Sequence, residues 1–317
     1  MMQRERFLLS MKILVTGGAG FIGSHIVDQC IARGHEVTVV DSLWAGGGGK
    51  EQNLNPEVRF FRADISDEAA LQTIFDEVHP EVVSHQAAQA SVAISTKNPQ
   101  YDARVNVLGL LNVLTQCTRV GTRKVVFASS GATYGTPEKL PINEETPQRP
   151  ESPYGITKMV AEYYLRYWQV ANGLIYTALR YGNVYGPRQD PNGEAGVIAI
   201  FANRFLNHEP VRIDWDGEQQ KDYVFVEDVA RANMLAMEQG DNDIFCIGTG
   251  RGASVNQLYN TLAKITGYEP EIVRAPKRSG DIYLSYFDCS KAEQILGWQP
   301  QVTLEEGIAK TVEFFRK

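Results

Sequence analysis

This chain is poor in cysteine, has no long apolar run and carries no excess of positive charge, and each lack removes a class of protein. Cys30, Cys117, Cys246 and Cys289 are the only cysteines in 317 residues, stand far apart and form no CxxC pair. A disulfide framework or a metal site is therefore not expected, and buried free thiols in a reducing cytoplasm are. No apolar run approaches the ~18 residues a membrane helix needs. The opening MMQRERFLLS places Arg4, Glu5 and Arg6 before a very short apolar patch, so residues 1–10 read as an extension and not as a signal peptide. A net charge of −7 argues against a nucleic-acid footprint, and no internal repeat is visible. With 22% charged and 43% hydrophobic residues, disorder and fibres are excluded as well. What remains is one large or two fused globular domains acting on small molecules, with neither membrane nor nucleic acid as partner.

The stretch that organises the chain is Lys12 to Asp41, KILVTGGAGFIGSHIVDQCIARGHEVTVVD. Ile13, Leu14 and Val15 make an apolar run too short for a helix, and Gly17, Gly20 and Gly23 then recur every third residue as a helix opens. Glycine permits the turn, lets a pyrophosphate approach the main chain, and lets helix and strand pack closely. The helix N-terminus supplies unpaired N–H groups and about half a positive charge to that anion. Gly17, Gly20, Phe21, Ile22 and Gly23 are thus the candidate phosphate-binding stretch, followed by a helix over 24–33. Strand Glu36–Val40 then delivers Asp41, placed to accept the hydroxyls of an adenosine ribose. That carboxylate would repel a 2′-phosphate and no arginine follows it, so NAD is expected and NADP is not.

Strand and helix keep alternating beyond Asp41. Ser42–Lys50, with four glycines at 46–49, reads as a flexible loop at the adenosine end or a plain linker. Strand Val58–Ala63 leads to Asp64 and Ile65; helix 67–78, capped near Ser66 or Asp67, leads to strand Val82–His85. The small-residue turn Gln86–Ala90 lies at a strand's carboxyl end, where open α/β sheets bind ligands, which makes Gln86, Ala87 and Ala88 cofactor candidates. A helix from about Pro99 to Cys117 and strands Lys124–Ala128 and Tyr176–Tyr181 complete a doubly wound parallel α/β sheet over residues 11–182, with Tyr181 at its ligand edge. Residues 183–317 have longer loops and shorter elements and form a smaller α/β domain, while a segment near 222–248 returns to the first. Helix 196–207, strands near 211–213 and 222–225, helix 227–238 and strand Ile244–Ile247 follow. Ser254 with Gln257, and Thr303 with Glu306, read as capping boxes.

Chemistry is expected between Ser129 and Lys158, where SSGATYG leaves a strand and SPYGITK opens a helix. Fourteen tyrosines and twelve lysines make about half of one Tyr-x-x-x-Lys match a chance event, so position carries the inference. Pro153 suits a first helical turn, and the i, i+4 spacing puts Tyr154 and Lys158 on one face. To act as a base, Tyr154 must ionise well below its usual ~10. A neighbouring ammonium and a cationic nicotinamide ring could do this. Tyr163, Tyr164, Tyr167 and Trp168, further along, read as packing or interface residues.

With these residues in place the chain resembles the extended short-chain dehydrogenase/reductase family over nearly its full length, and within it the UDP-sugar 4-epimerases. The motifs are TGGAGFIG at 16–23, Asp64–Ile65, Asn106–Gly109, SSxxxYG at 129–135, SPYGxTK at 152–158, LRYxNVYGP at 179–187 and RSGD at 278–281. The resemblance implies that Asp64 and Ile65 hold the adenine, Asn106 supports the dinucleotide site and Lys158 holds the nicotinamide ribose. It implies that Ser130 and Tyr154 contact the sugar's 4-hydroxyl, Asn183 and Arg278 bind the diphosphate, and Asp281 holds the uridine ribose. It also implies a homodimer through helices 99–117 and 153–171. Where the family has arginine, Lys221 precedes Asp222 and Tyr223, so a bidentate clamp becomes one ammonium. A lysine found in some members is absent near Ala90. Related dehydratases have a carboxylate two residues after the Ser130 equivalent; here Gly131 and Ala132 follow, which leaves epimerisation of UDP-glucose and UDP-galactose through a 4-keto sugar. Alternatives are a UDP-glucuronate 4-epimerase, with Arg188 facing the carboxylate, and a redox-silent NAD-binding regulatory protein. Ser285, small where a tyrosine excludes N-acetylated sugars, implies turnover of UDP-N-acetylhexosamines as well.

Overall fold

The computed structural model describes residues 10–44, 47–192, 196–277 and 282–316. The chain opens with β1 (Lys12–Thr16), α1 (Phe21–Ala32), β2 (Glu36–Asp41), β3 (Arg59–Arg62), α2 (Glu68–Val78) and β4 (Val82–His85). A broken helical stretch follows, made of α3 (Val92–Lys97), α4 (Pro99–Ala103) and α5 (Gly109–Val120). Then come β5 (Lys124–Ser130), α6 (Pro153–Asn172), β6 (Ile175–Tyr181), β7 (Asn183–Tyr185), α7 (Val197–Leu206), β8 (Val211–Asp214) and β9 (Gln220–Phe225). The last elements are α8 (Val226–Glu238), β10 (Asp243–Ile247), β11 (Gly252–Ser254), α9 (Val255–Thr266), β12 (Ile272–Ala275), β13 (Leu284–Ser285) and α10 (Leu304–Phe315).

Seven strands make one parallel sheet in the order β10-β6-β5-β4-β1-β2-β3. Its inner strands are almost wholly buried because both faces are covered, whereas the edge strand β3 is only partly so. Ile13 and Val15 point to one core with Ile26 and Val27 of α1 and Val229 and Met234 of α8. Leu14, on the opposite face by the twofold period of a strand, points to Ile74 of α2, Val113 of α5 and Leu165 of α6. Beyond β6 the chain leaves the sheet, and α8 and β10 later return to complete it. Between those visits it builds a second core from α7, β9, α9 and α10, with Phe201, Phe225, Leu258 and Ile308 inside. β11, β9, β13 and β7 form its four-stranded sheet.

Three local expectations are corrected. α1 begins at Phe21, three residues before the expected 24, because extended Gly20 (φ −79°, ψ 177°) is its N-cap. The single helix anticipated from 99 to 117 is divided by a π turn at Arg104–Leu108 and runs on to Val120. Ser254 accepts from the Gln257 N–H, but Gln257 makes no return bond among the described residues, so that box is half formed; Thr303 and Glu306 form theirs completely. The cap of α2 is Asp67.

Candidate active site

β1 has β2 on one side and β4 on the other, and chain leaves both β1 and β4 at adjacent carboxyl ends, the switch point where open α/β sheets bind ligands. Gly17 sits there with φ +70°, and a Cβ on it would lie 2.7 Å from the Ala87 nitrogen. A Cβ on Gly23 would lie 2.1 Å from the Gly17 carbonyl oxygen, so α1 seats directly on the turn. Among the described residues no side chain caps α1, which leaves its first N–H groups for an anion. Asp41 ends β2 buried, its carboxylate accepting from the N–H groups of Ala19 (3.1 Å) and Leu43 (2.9 Å). Burial pushes it above the usual carboxylate range and these two bonds draw it back. The described end of the glycine-rich loop is fastened to the turn: Lys50 N–H and the Asn53 amide both donate to the Ala19 carbonyl at 3.0 Å. Residues 45–46 of that loop lie outside the described residues. A turn closed to side chains, an uncapped helix start and an acidic strand end together fit a dinucleotide.

The neighbouring walls are held from behind. Asp64 is exposed and accepts from the Ser66 N–H and hydroxyl at 2.8 Å, while Ile65 is buried against Gly109, where a Cβ would lie 2.7 Å from Ile65 Cδ1. Gln86 does not project freely. Its amide donates to Asn233 (3.1 Å) and accepts from Tyr181 (3.2 Å), whose hydroxyl accepts from Asn233 (2.8 Å). Asn106, inside the π turn, uses both ends of its amide on the Gln89 backbone, at 2.8 and 2.9 Å. Asn106 thus faces inward from a π turn, a feature that recurs at functional sites.

The reactive residues meet where β5 ends and α6 begins. Ser130 caps a short 3₁₀ turn, accepting from the Ala132 N–H at 3.1 Å, with its hydroxyl near enough to Tyr154 to favour the phenolate. Gly131 is tight against Phe287, whose Cζ would lie 2.8 Å from an added Cβ. Ser152 caps α6 and directs Tyr154 and Lys158 inward. Lys158 donates to the Ala128 carbonyl at 2.7 Å, with its nitrogen 4.8 Å from the centre of the Phe127 ring and 5.8 Å from that of Tyr154. Burial lowers Lys158 to about 8, opposed by the carboxylates of Asp102 and Glu162. The expected depression of Tyr154 by its lysine is not found. Burial pushes it up to about 12, Ser130 draws it down and Asp102 adds to the rise. Beneath them His85, bonded to Thr16 at 2.8 Å and held down to about 3 by burial and Lys158, stays neutral.

On the substrate side Asn183 is exposed and pairs in register with Tyr223. The Lys221 ammonium donates to the Ile282 carbonyl at 2.8 Å. Ser285 lies opposite Lys221 in the β13–β9 pair. Arg278 and Asp281 lie outside the described residues. Arg188, which the glucuronate alternative sets against a sugar carboxylate, pairs its guanidinium with Asp28 of α1 at 2.7 Å. Sequence reading missed Asp102, Thr157, Glu162, Arg180 and Asn233. Glu162 stood one further i+4 step from Lys158, the one signal that could have flagged it. It accepts from Arg180 at 2.9 and 2.6 Å, from Ser129 at 2.6 Å and from Gln148 at 2.9 Å, tying α6 to both β5 and β6.

A doubly wound sheet with a side-chain-free turn under an uncapped helix defines a dinucleotide-binding class of enzyme fold. The chain belongs to the NAD dependent epimerase/dehydratase family, which it matches over residues 13–248. It is 46% identical over 306 residues to a putative UDP-glucose 4-epimerase of Methanocaldococcus jannaschii, covering 96% of this chain and 98% of that one. Among solved structures, the UDP-glucose 4-epimerase of Thermotoga maritima with UDP-glucose superposes with a TM-score of 0.94 at 52% identity, covering 96% of this chain and 99% of that one. The Thermus thermophilus UDP-glucose 4-epimerase in complex with NAD gives 0.92 at 46% identity, with the same two coverages, 96% and 99%.

Proposed function

We propose that this chain is an NAD-dependent UDP-sugar 4-epimerase that interconverts UDP-glucose and UDP-galactose through a 4-keto sugar. The observation that carries the reading is Ser130, at the end of β5, set beside Tyr154 and Lys158 of α6, with Gly131 and Ala132 following where a dehydratase carries its extra carboxylate. Tyr154 takes the proton of the 4-hydroxyl and returns it, with Ser130 bonded to the same oxygen. NAD bound here would supply the hydride acceptor for C4, and its cationic ring would add to the lowering of Tyr154 that Ser130 begins. Lys158 holds the nicotinamide ribose. Gly17, Gly20, Phe21, Ile22 and Gly23 hold the pyrophosphate, Asp41 the adenosine ribose, and Asp64 with Ile65 the adenine. Gln86, Ala87, Ala88, Asn106 and Tyr181 shape the wall between. Asn183, Lys221 and Arg278 hold the substrate diphosphate and Asp281 its ribose. Four unpaired thiols suit the cytoplasm.

Holoprotein mixed with UDP-galactose and no added oxidant should accumulate UDP-glucose, and Tyr154→Phe should keep its NAD while losing ~10²–10⁴-fold in kcat. A folded, NAD-loaded protein that leaves both sugars unchanged overturns the reading.

A second reading, turnover of UDP-N-acetylglucosamine, rests on the surroundings of Ser285. The aromatic neighbours that could fill its space are held elsewhere: Tyr283 packs on Trp215 at 4.8 Å and donates to Asp216 at 2.9 Å, and Tyr286 lies against Gly252. The chain also forms a homodimer in this reading. Ile156, Tyr163, Tyr167 and Val170 make an exposed apolar stripe along α6, with Leu108 exposed in the π turn, and helices α5 and α6 would pair across it. Light scattering that finds only monomer at micromolar concentration counts against the dimer.

A further inference from the structure

One carboxylate joins the two walls of the site without touching either reactant. Asp102, in α4, has no solvent exposure. Its Oδ1 accepts from the Gln89 amide at 2.8 Å and the Asn106 amide at 3.0 Å, and its Oδ2 accepts from the Thr157 hydroxyl at 2.9 Å. Gln89 lies in the turn whose Ala87 faces Gly17, and Thr157 directly precedes Lys158. We propose that Asp102 is a positioning residue for the epimerase reaction, clamping the cofactor-side turn to the start of α6 and setting, through its charge, the pH range over which Tyr154 and Lys158 work as a pair. The proposal rests on the epimerase reading given above.

Charge as well as shape is involved because, among the described residues, few other charges reach the pair. Glu162, one turn after Lys158, faces it too, but is neutralised by the guanidinium of Arg180 on β6. From β4, His85 is neutral, and from β6 Tyr181 is a protonated phenol bonded to Gln86 and Asn233. Arg104 of the π turn stacks over Tyr101. Asp102 is the carboxylate that raises both Tyr154 and Lys158. Burial raises Asp102 itself, and its donors Thr157 and Gln89, with the Lys158 ammonium, draw it back.

The geometry supplies its own isolating variant. The single Thr157 hydroxyl hydrogen is shared between Asp102 and the Tyr154 carbonyl, also at 2.9 Å. In Asp102→Asn the new amide keeps its oxygen toward Gln89 and Asn106 and donates to the Thr157 oxygen, while Thr157 still donates to Tyr154. Charge is removed and the bonds remain. Ionisation of Tyr154 is followed in NAD-loaded protein as tyrosinate absorbance against pH, with Tyr154→Phe subtracted, beside the pH profile of kcat with UDP-galactose. Asp102→Asn should retain NAD, ionise Tyr154 at lower pH, and move both limbs of the profile toward acid by half a pH unit or more, roughly a threefold change in each protonation equilibrium. A variant that only scales kcat, or matches wild type in both readouts, overturns the proposal. If Asp102→Asn does not fold, Thr157→Val should lower kcat at least tenfold with NAD retained and Thr157→Ser should restore it; equal activity in all three overturns the clamp. Wild-type protein that folds and holds NAD but does not convert UDP-galactose overturns the epimerase reading instead, and the tyrosinate titration still judges Asp102.

Discussion

Lys158 donates its ammonium to the Ala128 carbonyl at 2.7 Å from a position that is only 4% exposed. Burial holds the amine to about 8 against an ordinary 10.5, so the folded chain binds this proton more weakly than the unfolded chain does. A depressed lysine destabilises the fold wherever it must be charged. The cost is fully present below about 8 and disappears as pH rises past 10.5. Lys158→Met should therefore abolish epimerisation yet stabilise NAD-free protein at pH 7 by up to about 3 kcal/mol, with the gain shrinking toward pH 10. Urea unfolding of both proteins at the two pH values checks this, and a less stable variant at pH 7 refutes it.

Gly23→Ala places a Cβ 2.1 Å from the Gly17 carbonyl oxygen and 2.8 Å from its carbon, both backbone atoms that cannot rotate away. Relieving such overpacking costs ~1–3 kcal/mol and moves α1 off the turn. NAD affinity should fall ~5–150-fold by fluorescence titration, with far-ultraviolet circular dichroism unchanged.

Ser285→Tyr should suppress turnover of UDP-N-acetylglucosamine more than that of UDP-galactose, because β13 directs this side chain from the position opposite Lys221. The comparison is of kcat/KM for the two substrates. Equal losses on both, or no N-acetylated turnover in the wild type, would move the gate away from Ser285.

Glu162→Gln leaves the Arg180 guanidinium buried at 4% side-chain exposure beside a neutral amide. Breaking one side of a buried pair costs ~3–5 kcal/mol, so the urea midpoint should fall sharply. Replacing both partners, as Glu162→Gln with Arg180→Met, should recover part of that loss, since no uncompensated charge remains.

Much of the frame was legible in the residues. The apolar run of Ile13 to Val15, the glycines at 17, 20 and 23 and the acid at 41 are read within thirty positions, because a strand, a turn and a helix are each set by neighbours in sequence. The boundaries that moved did so where tertiary demand overrode local pattern. Nothing in Arg104–Leu108 announces a π turn, which carries Asn106 with its amide on the backbone of Gln89, seventeen residues earlier. Arg188 could be assigned to a sugar by analogy, but its partner Asp28 is 160 positions away on α1.

By itself the sequence determined the alternation of strands and helices, the side-chain-free turn at the switch point, and the Ser130, Tyr154 and Lys158 set on adjoining elements. Those depend on periodicity, on glycine's missing Cβ and on the i, i+4 geometry of one helix. Only the tertiary structure decided which charges that set feels. Sheet register and helix packing brought Asp102 of α4, Glu162 of α6 and Arg180 of β6 together in a region closed to water, where each charge must find a partner from another element. A pairing across such distances leaves no period in the sequence to be read.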